Sequence, residues 1–175
     1  MLKAIKIAVT GPESTGKTTI AEYLAEKTGG VAVPEFAREY LDKINRPYVY
    51  DDILHIAQEQ MRNEDMAAEK NGIVFCDTEL LVTKIWCDDK FGQCHKWILD
   101  ELKNRSYNLV LLCNIDMPWE PDPQREDPHR REYLFDLYRK QIGLYYNNVV
   151  EVTGDGSSRL NNAFEIVTEF LKRNC

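Results

Sequence analysis

Apolar positions along the chain fall into two rhythms. Short, nearly continuous apolar runs at 3–9, 31–33, 72–77, 108–113 and 148–153 predict five strands, and their Val, Ile, Leu and Phe content suits strands covered on both faces of a parallel sheet. Between these runs, apolar residues recur at helical spacing over 19–27, 34–42, 52–70, 78–90, 94–104, 133–138 and 160–173. In the second helix, Phe36, Ala37, Tyr40 and Leu41 share one side, with Glu35, Arg38 and Glu39 elsewhere. In the third, Gln60 lies on the face of Ile53, Ile56, Ala57 and Met61, and is either a boundary residue or an amide turned to a substrate. Strands alternating with helices predict an α/β chain, a parallel sheet with helices on both faces and right-handed crossovers. Active groups in such sheets gather at the carboxyl ends of the strands.

Candidate chemistry concentrates on that rim. Gly11-Pro12-Glu13-Ser14-Thr15-Gly16-Lys17-Thr18 joins the first strand to the first helix in the phosphate-binding-loop pattern of Gly, four residues, Gly, Lys and Ser or Thr. The glycines let the backbone curl, so that amides from Gly11 to Thr19 cradle phosphates at a helix N-terminus. Lys17 then reaches the outer phosphates of a nucleoside triphosphate, and the Thr18 hydroxyl ligands the Mg²⁺ that travels with them. Asp77, at the tip of the third strand, is a second Mg²⁺ ligand or a helix N-cap. Glu35, after the second strand, either takes a proton from an acceptor hydroxyl or pairs with Arg38. The Gly154-Asp155 turn after the last strand is the candidate wall of the adenine pocket.

The stretch 114–131 breaks both rhythms. It holds Pro118, Pro121, Pro123 and Pro128 together with Trp119, Arg125, Arg130 and Arg131, and reads as a proline-stiffened lid. Arg125 and Arg130 are candidates for stabilising charge on a transferring phosphoryl group.

Composition narrows the picture further. With 175 residues, 43% hydrophobic and 29% charged, the chain reads as one domain over 1–175. A net charge of −7 disfavours a general nucleic-acid or anionic-membrane surface, and no apolar run approaches a membrane span. The five cysteines form no Cys-x-x-Cys pair, which points to buried thiols and a reducing, cytoplasmic setting.

Residues 11–19, the run Pro34-Glu35-Phe36-Ala37-Arg38-Glu39-Tyr40, Cys76-Asp77-Thr78, and Pro118-Trp119-Glu120-Pro121-Asp122 with Arg125 together resemble the ribosylnicotinamide kinase module of NadR-type proteins. The resemblance implies an ATP- and Mg²⁺-dependent kinase that phosphorylates the 5′-hydroxyl of nicotinamide riboside, with a P-loop kinase fold of strand order 2-3-1-4-5. It also implies substrate contacts from Glu35, Arg38, Asp77, Trp119 and Asp122. The Trp119 indole is either a cation–π partner for the charged nicotinamide ring or a lid anchor. The chain carries no His-x-Gly-His motif and no helix-turn-helix, so adenylyl transfer and DNA binding are not expected of it. Alternative readings are a kinase for another small hydroxyl compound and a nucleotide-dependent regulatory ATPase.

Overall fold

The computed structural model of the protein describes residues 4–125 and 129–174. Five parallel strands form one sheet: β1 (Ile5–Thr10), β2 (Val31–Val33), β3 (Ile73–Asp77), β4 (Leu109–Cys113) and β5 (Val149–Val152), in the order β2-β3-β1-β4-β5. The helices are α1 (Lys17–Thr28), α2 (Phe36–Ile44), α3 (Tyr50–Lys70), α4 (Leu80–Phe91), α5 (Lys96–Asn104), α6 (Arg131–Tyr145) and α7 (Gly156–Asn174).

Strand alternation divides the core into two layers. Ile7, Val9, Leu109, Leu111 and Val152 face α1 and α7, burying Ile20, Leu24, Ala163 and Val167 against them. Ala8, Val74, Cys76, Val110 and Leu112 face the other way, where α3, α4, α5 and α6 supply Ile53, Leu81, Ile98 and Phe135. Register brings Val9 level with both Asp77 and Leu111, so the carboxyl ends of β1, β3 and β4 finish together. The strand order and the helical coverage of both faces agree with the sequence expectation.

Each helix start is displaced by two to four residues from the periodicity, and at three of them the local reason is visible. α2 begins at Phe36 because Glu35 stays extended, at φ −65 and ψ 108, as the N-cap. α4 begins at Leu80: Thr78 sits at φ 68, Glu79 is extended, and the Glu79 carboxylate caps the Leu81 amide at 2.7 Å. α7 begins at Gly156, four residues earlier than apolar spacing alone indicated, because Ser158 and Asp155 bond across the first turn. Among the described residues no helix is long and apolar enough to cross a membrane. Cys76 and Cys113, in strands, are buried free thiols as expected; Cys87 is buried as well and Cys94 half-buried, whereas Cys175 lies outside the described residues.

The turn from α2 into α3 is fixed by one carboxylate. Asp52 accepts from Arg46 Nη1 and Nη2 at 2.6 and 2.8 Å, from Tyr40 Oη at 2.6 Å and from the Val49 amide at 2.7 Å. It therefore holds residues 46–49 above the rim. Asp52→Ala is expected to lower the unfolding free energy by about 1–2 kcal/mol in a urea titration at neutral pH. The difference should narrow in acid. The Arg46 guanidinium holds the Asp52 carboxyl well below its ordinary value of 3.8, and stability from a depressed acid is present above the unfolded pKa and is lost as pH falls through the folded one.

Candidate active site

The phosphate-binding loop has the conformation its sequence requires. Gly11 adopts φ 135, where a side chain would place its Cβ 2.8 Å from the Cys113 carbonyl oxygen. Ser14 and Gly16 lie in the left-handed region at φ 56 and 73, which turns the loop back into α1. Gly16 is the N-cap of α1 and offers no side-chain acceptor, so the first amides of that helix have no capping side chain. Lys17 Nζ donates to the Pro12 carbonyl at 2.8 Å, bridging the loop where phosphates would enter.

Asp77 lies behind this loop. The Thr18 hydroxyl donates to Asp77 Oδ2 at 2.6 Å, while Asp77 Oδ1 is buried without a hydrogen-bond partner among the described residues. Burial pushes the Asp77 carboxyl up, with Lys17 and the Thr18 bond opposing it. Asp77 is not the N-cap of α4; Glu79 is. An orphaned carboxylate oxygen beside a hydroxyl, at the foot of a phosphate loop, is a donor set that fits Mg²⁺.

A cleft of about 420 Å³ opens above the loop. One wall is formed by residues 11–19, and the opposite one by Glu35, Ala37, Arg38 and Leu41 from the start of α2. Beyond these, aromatic and apolar side chains line it, Pro47 and Tyr48 from the α2–α3 turn, Val82, Ile85 and Trp86 from α4, and Leu134 and Tyr138 from α6, together with the charged Arg46, Asp89 and Lys90. Tyr48 and Trp86 pack edge to face with centroids 4.9 Å apart. Glu35 Oε2 lies 3.4 Å from Arg38 Nε, and its side chain keeps 23% exposure to the cleft. Burial pushes its carboxyl above the ordinary value, with Lys17 opposing and Asp77 reinforcing the shift. Arg125 also lines the cleft, donating to the Glu120 carbonyl and, at 3.4 Å, to Ser14 Oγ.

Several sequence candidates take other positions. Gln60 is buried, accepts from the Phe36 amide at 2.9 Å and donates to the Asp77 carbonyl at 3.4 Å. It joins the start of α2 to the tip of β3 and does not line the cleft. Asp122 binds Arg38 Nη1 at 3.0 Å and so reaches the cleft through that arginine. Arg130 binds Asp89 of α4 in a two-pronged pair at 2.8 and 2.6 Å; Asp89 lines the cleft, Arg130 does not. Trp119 is absent from the cleft wall, and its ring is covered by the Arg131 guanidinium 5.8 Å from the centroid. Gly154 and Asp155 lie outside the cleft as well. The Gly154 amide binds Asp116 at 2.6 Å, and Asp155 closes the first turn of α7. Within the stretch 114–131, the Glu120 amide donates to Ser14 Oγ at 2.8 Å, and residues 126–128, including Pro128, lie outside the described residues.

Two buried groups belong to no motif that the sequence displays. Glu79 accepts from Thr10 Oγ1 at 2.8 Å as well as from Tyr146 Oη, tying the root of the phosphate loop to α4 and to the end of α6; burial raises its carboxyl to about 7. Arg159 lies under the loop. It sits four and eight residues before Ala163 and Val167, on the buried stripe of α7, and an arginine in phase with such a stripe is the signal available in the sequence.

A parallel sheet with a phosphate loop, an adjacent carboxylate at a neighbouring strand tip and a second carboxylate across a cleft defines a P-loop nucleotide-binding protein. The chain belongs to the AAA domain family, whose model matches residues 6–159. It is 26% identical over 175 residues to the trifunctional NAD biosynthesis/regulator protein NadR of Salmonella typhimurium, and 28% identical over 178 residues to that of Escherichia coli. Each alignment covers 94% of this chain and 42% of the relative, so the chain spans under half the length of these proteins. Among solved structures, a NadR protein in complex with NR superposes with a TM-score of 0.76 at 23% identity, covering 95% of this chain and 50% of that one. A deoxyadenosine kinase from M. mycoides superposes at 0.62 and 17% identity, covering 97% and 100%. These two likenesses establish the fold.

Proposed function

We propose that the protein is an ATP- and Mg²⁺-dependent kinase that transfers a phosphoryl group to the 5′-hydroxyl of nicotinamide riboside, giving nicotinamide mononucleotide in cytoplasmic NAD salvage. The observation that carries this reading is one cleft with the phosphate loop on one wall, Glu35 and Arg38 on the other, and aromatic side chains lining it beyond them. The NadR relatives and the NadR structure with NR, which we read as nicotinamide riboside, support the choice of acceptor.

In this mechanism Lys17 leaves the Pro12 carbonyl for the outer phosphates, and the loop amides hold their oxygens. Thr18 and Asp77 hold Mg²⁺, which when bound neutralises phosphate charge. Glu35 receives the proton of the acceptor hydroxyl as its oxygen bonds to the γ-phosphorus and the bond to the ADP oxygen breaks. Its raised pKa suits this task, because a carboxylate nearer neutrality is a stronger base. Among the arginines of 114–131, Arg125 is the one that lines the cleft beside the loop, and it is the one assigned to the transferring group. We assign 114–131 as a lid and the whole chain to a single domain.

The pyridinium ring of the riboside carries a permanent positive charge, which an indole face attracts. Trp86, in the cleft wall, is assigned this contact in place of Trp119. Steady-state kinetics with ATP, Mg²⁺ and a panel of nucleosides tests both assignments. Nicotinamide riboside is expected to be the preferred acceptor, and Trp86→Ala to raise its KM about 3- to 30-fold with the KM for ATP unchanged. Trp119→Ala should leave both within about 2-fold. Turnover of a different nucleoside alone would overturn the acceptor assignment, and a larger effect at Trp119 than at Trp86 would overturn the ring contact.

A further inference from the structure

Arg159 is 3% exposed and its fork is fully engaged beneath the phosphate loop. Nε and Nη2 donate to the Thr15 carbonyl at 3.1 and 2.9 Å, and Nη2 also donates to the Asn114 carbonyl at 2.7 Å. Nη1 donates to the Gly154 carbonyl and to Asp116 Oδ1, each at 2.8 Å. One guanidinium therefore joins the phosphate loop to the tips of β4 and β5. A second cation, Arg131, holds the neighbouring loop carbonyl, donating from Nη2 to Ser14 O at 3.0 Å.

The geometry of the peptide unit gives these bonds a consequence inside the cradle. A trans peptide is planar, and its C=O and N–H point in opposite directions. Fixing the Thr15 carbonyl toward Arg159 fixes the Gly16 amide the other way, toward the cleft. Fixing the Ser14 carbonyl toward Arg131 does the same for the Thr15 amide. The loop needs such a hold, since Ser14 at φ 56 is in a region that non-glycine residues rarely adopt. A cation on each carbonyl also polarises the peptide, leaving its N–H more positive on the phosphate side. Arg159 is buried and ion-paired with Asp116, so it acts on the Thr15 peptide chiefly through its two directed hydrogen bonds to that carbonyl.

We infer that Arg159 is a positioning residue for nucleotide phosphates: by holding the Thr15 carbonyl outward, it keeps the loop amides turned into the cleft before nucleotide arrives. The inference rests on the kinase reading only in so far as the loop binds Mg-ATP; it does not depend on the acceptor. Its effect is on nucleotide binding, not on the acceptor, whose wall on α2 and α4 Arg159 does not touch.

The test is calorimetric titration of the full chain with Mg-ATP, together with the KM of each substrate, for the native protein, Arg159→Lys and Asp116→Asn. Lysine keeps the charge but cannot reproduce the fork, whereas Asp116→Asn removes the charge partner while leaving the carbonyl bonds available. We expect Arg159→Lys to weaken Mg-ATP binding at least 10-fold and Asp116→Asn by about 3-fold or less, with the acceptor KM unchanged within 2-fold in both. Native affinity in Arg159→Lys would overturn the inference, and so would equal losses for ATP and acceptor, the mark of a general structural role. Absence of Mg-ATP binding in the native protein would instead overturn the kinase reading itself.

Discussion

Replacing Lys17 by alanine is expected to lower kcat/KM by about 10³-fold or more while leaving the protein folded. The Lys17 ammonium spans the loop to the Pro12 carbonyl, an exchangeable contact with a neutral acceptor. Phosphoryl transfer leaves little covalent work to the protein, so a single cation at the phosphates carries a large share of the stabilisation. Lys17 lies in the first turn of α1, whose buried face is made by Ile20, Ala21, Leu24 and Ala25, so its side chain contributes little to the core. The measurement is steady-state turnover alongside thermal melting. A large loss of kcat with an unchanged melting temperature is the expected pattern, and near-native turnover would remove Lys17 from the phosphate site.

Glu35→Gln should produce the second large loss, about 10²- to 10⁴-fold in kcat, because the amide cannot accept the acceptor's proton. Its pH dependence is equally specific. Burial raises the Glu35 carboxyl above 4.5, so activity of the native enzyme should fall with decreasing pH along a limb centred above that value, and the variant should lack this limb. Stability moves in the opposite sense. An acid whose folded pKa is raised makes its full contribution to stability below the unfolded pKa and loses it as pH rises through the folded value. Glu35→Gln is therefore expected to melt higher than the native protein at neutral pH, even as it loses activity. A variant that retains native kcat would transfer the base role away from Glu35.

How much of this was legible in the sequence follows from which forces are local. The phosphate loop depends on glycines at fixed spacing and on a strand and a helix immediately beside it, so Gly11, Gly16, Lys17 and Thr18 could be read directly. Asp77 and Glu35 were legible because parallel strands bring their carboxyl ends to one rim. The aromatic lining of the cleft was not. Trp86 lies in α4 beside buried Ile85 and Cys87, and apolar periodicity cannot separate a cleft-facing indole from one in the core. The proline-rich stretch suggests Arg130 for the transferring group and the family resemblance suggests Trp119 for the nicotinamide ring, whereas the packing of this stretch pairs the first with Asp89 and sets the second under the Arg131 guanidinium. The Gly154 turn lies outside the cleft for a related reason: its amide and carbonyl are both engaged by long-range partners, Asp116 and Arg159, that no local pattern announces. Glu79 stood in plain view in Cys76-Asp77-Thr78-Glu79. Only the positive φ at Thr78 turns it inward toward Thr10, and a threonine gives no sequence signal for that conformation.

In the proposed reaction the γ-phosphoryl group held by the loop is delivered across the cleft to a ribosyl 5′-hydroxyl beside Glu35. Incubation with ATP labelled at the γ-phosphorus, Mg²⁺ and nicotinamide riboside, followed by chromatographic separation, tests it most directly. The account predicts label in the 5′-mononucleotide, formed in step with ADP and only when the riboside is present. Label released solely as inorganic phosphate, at a rate indifferent to the riboside, would contradict it.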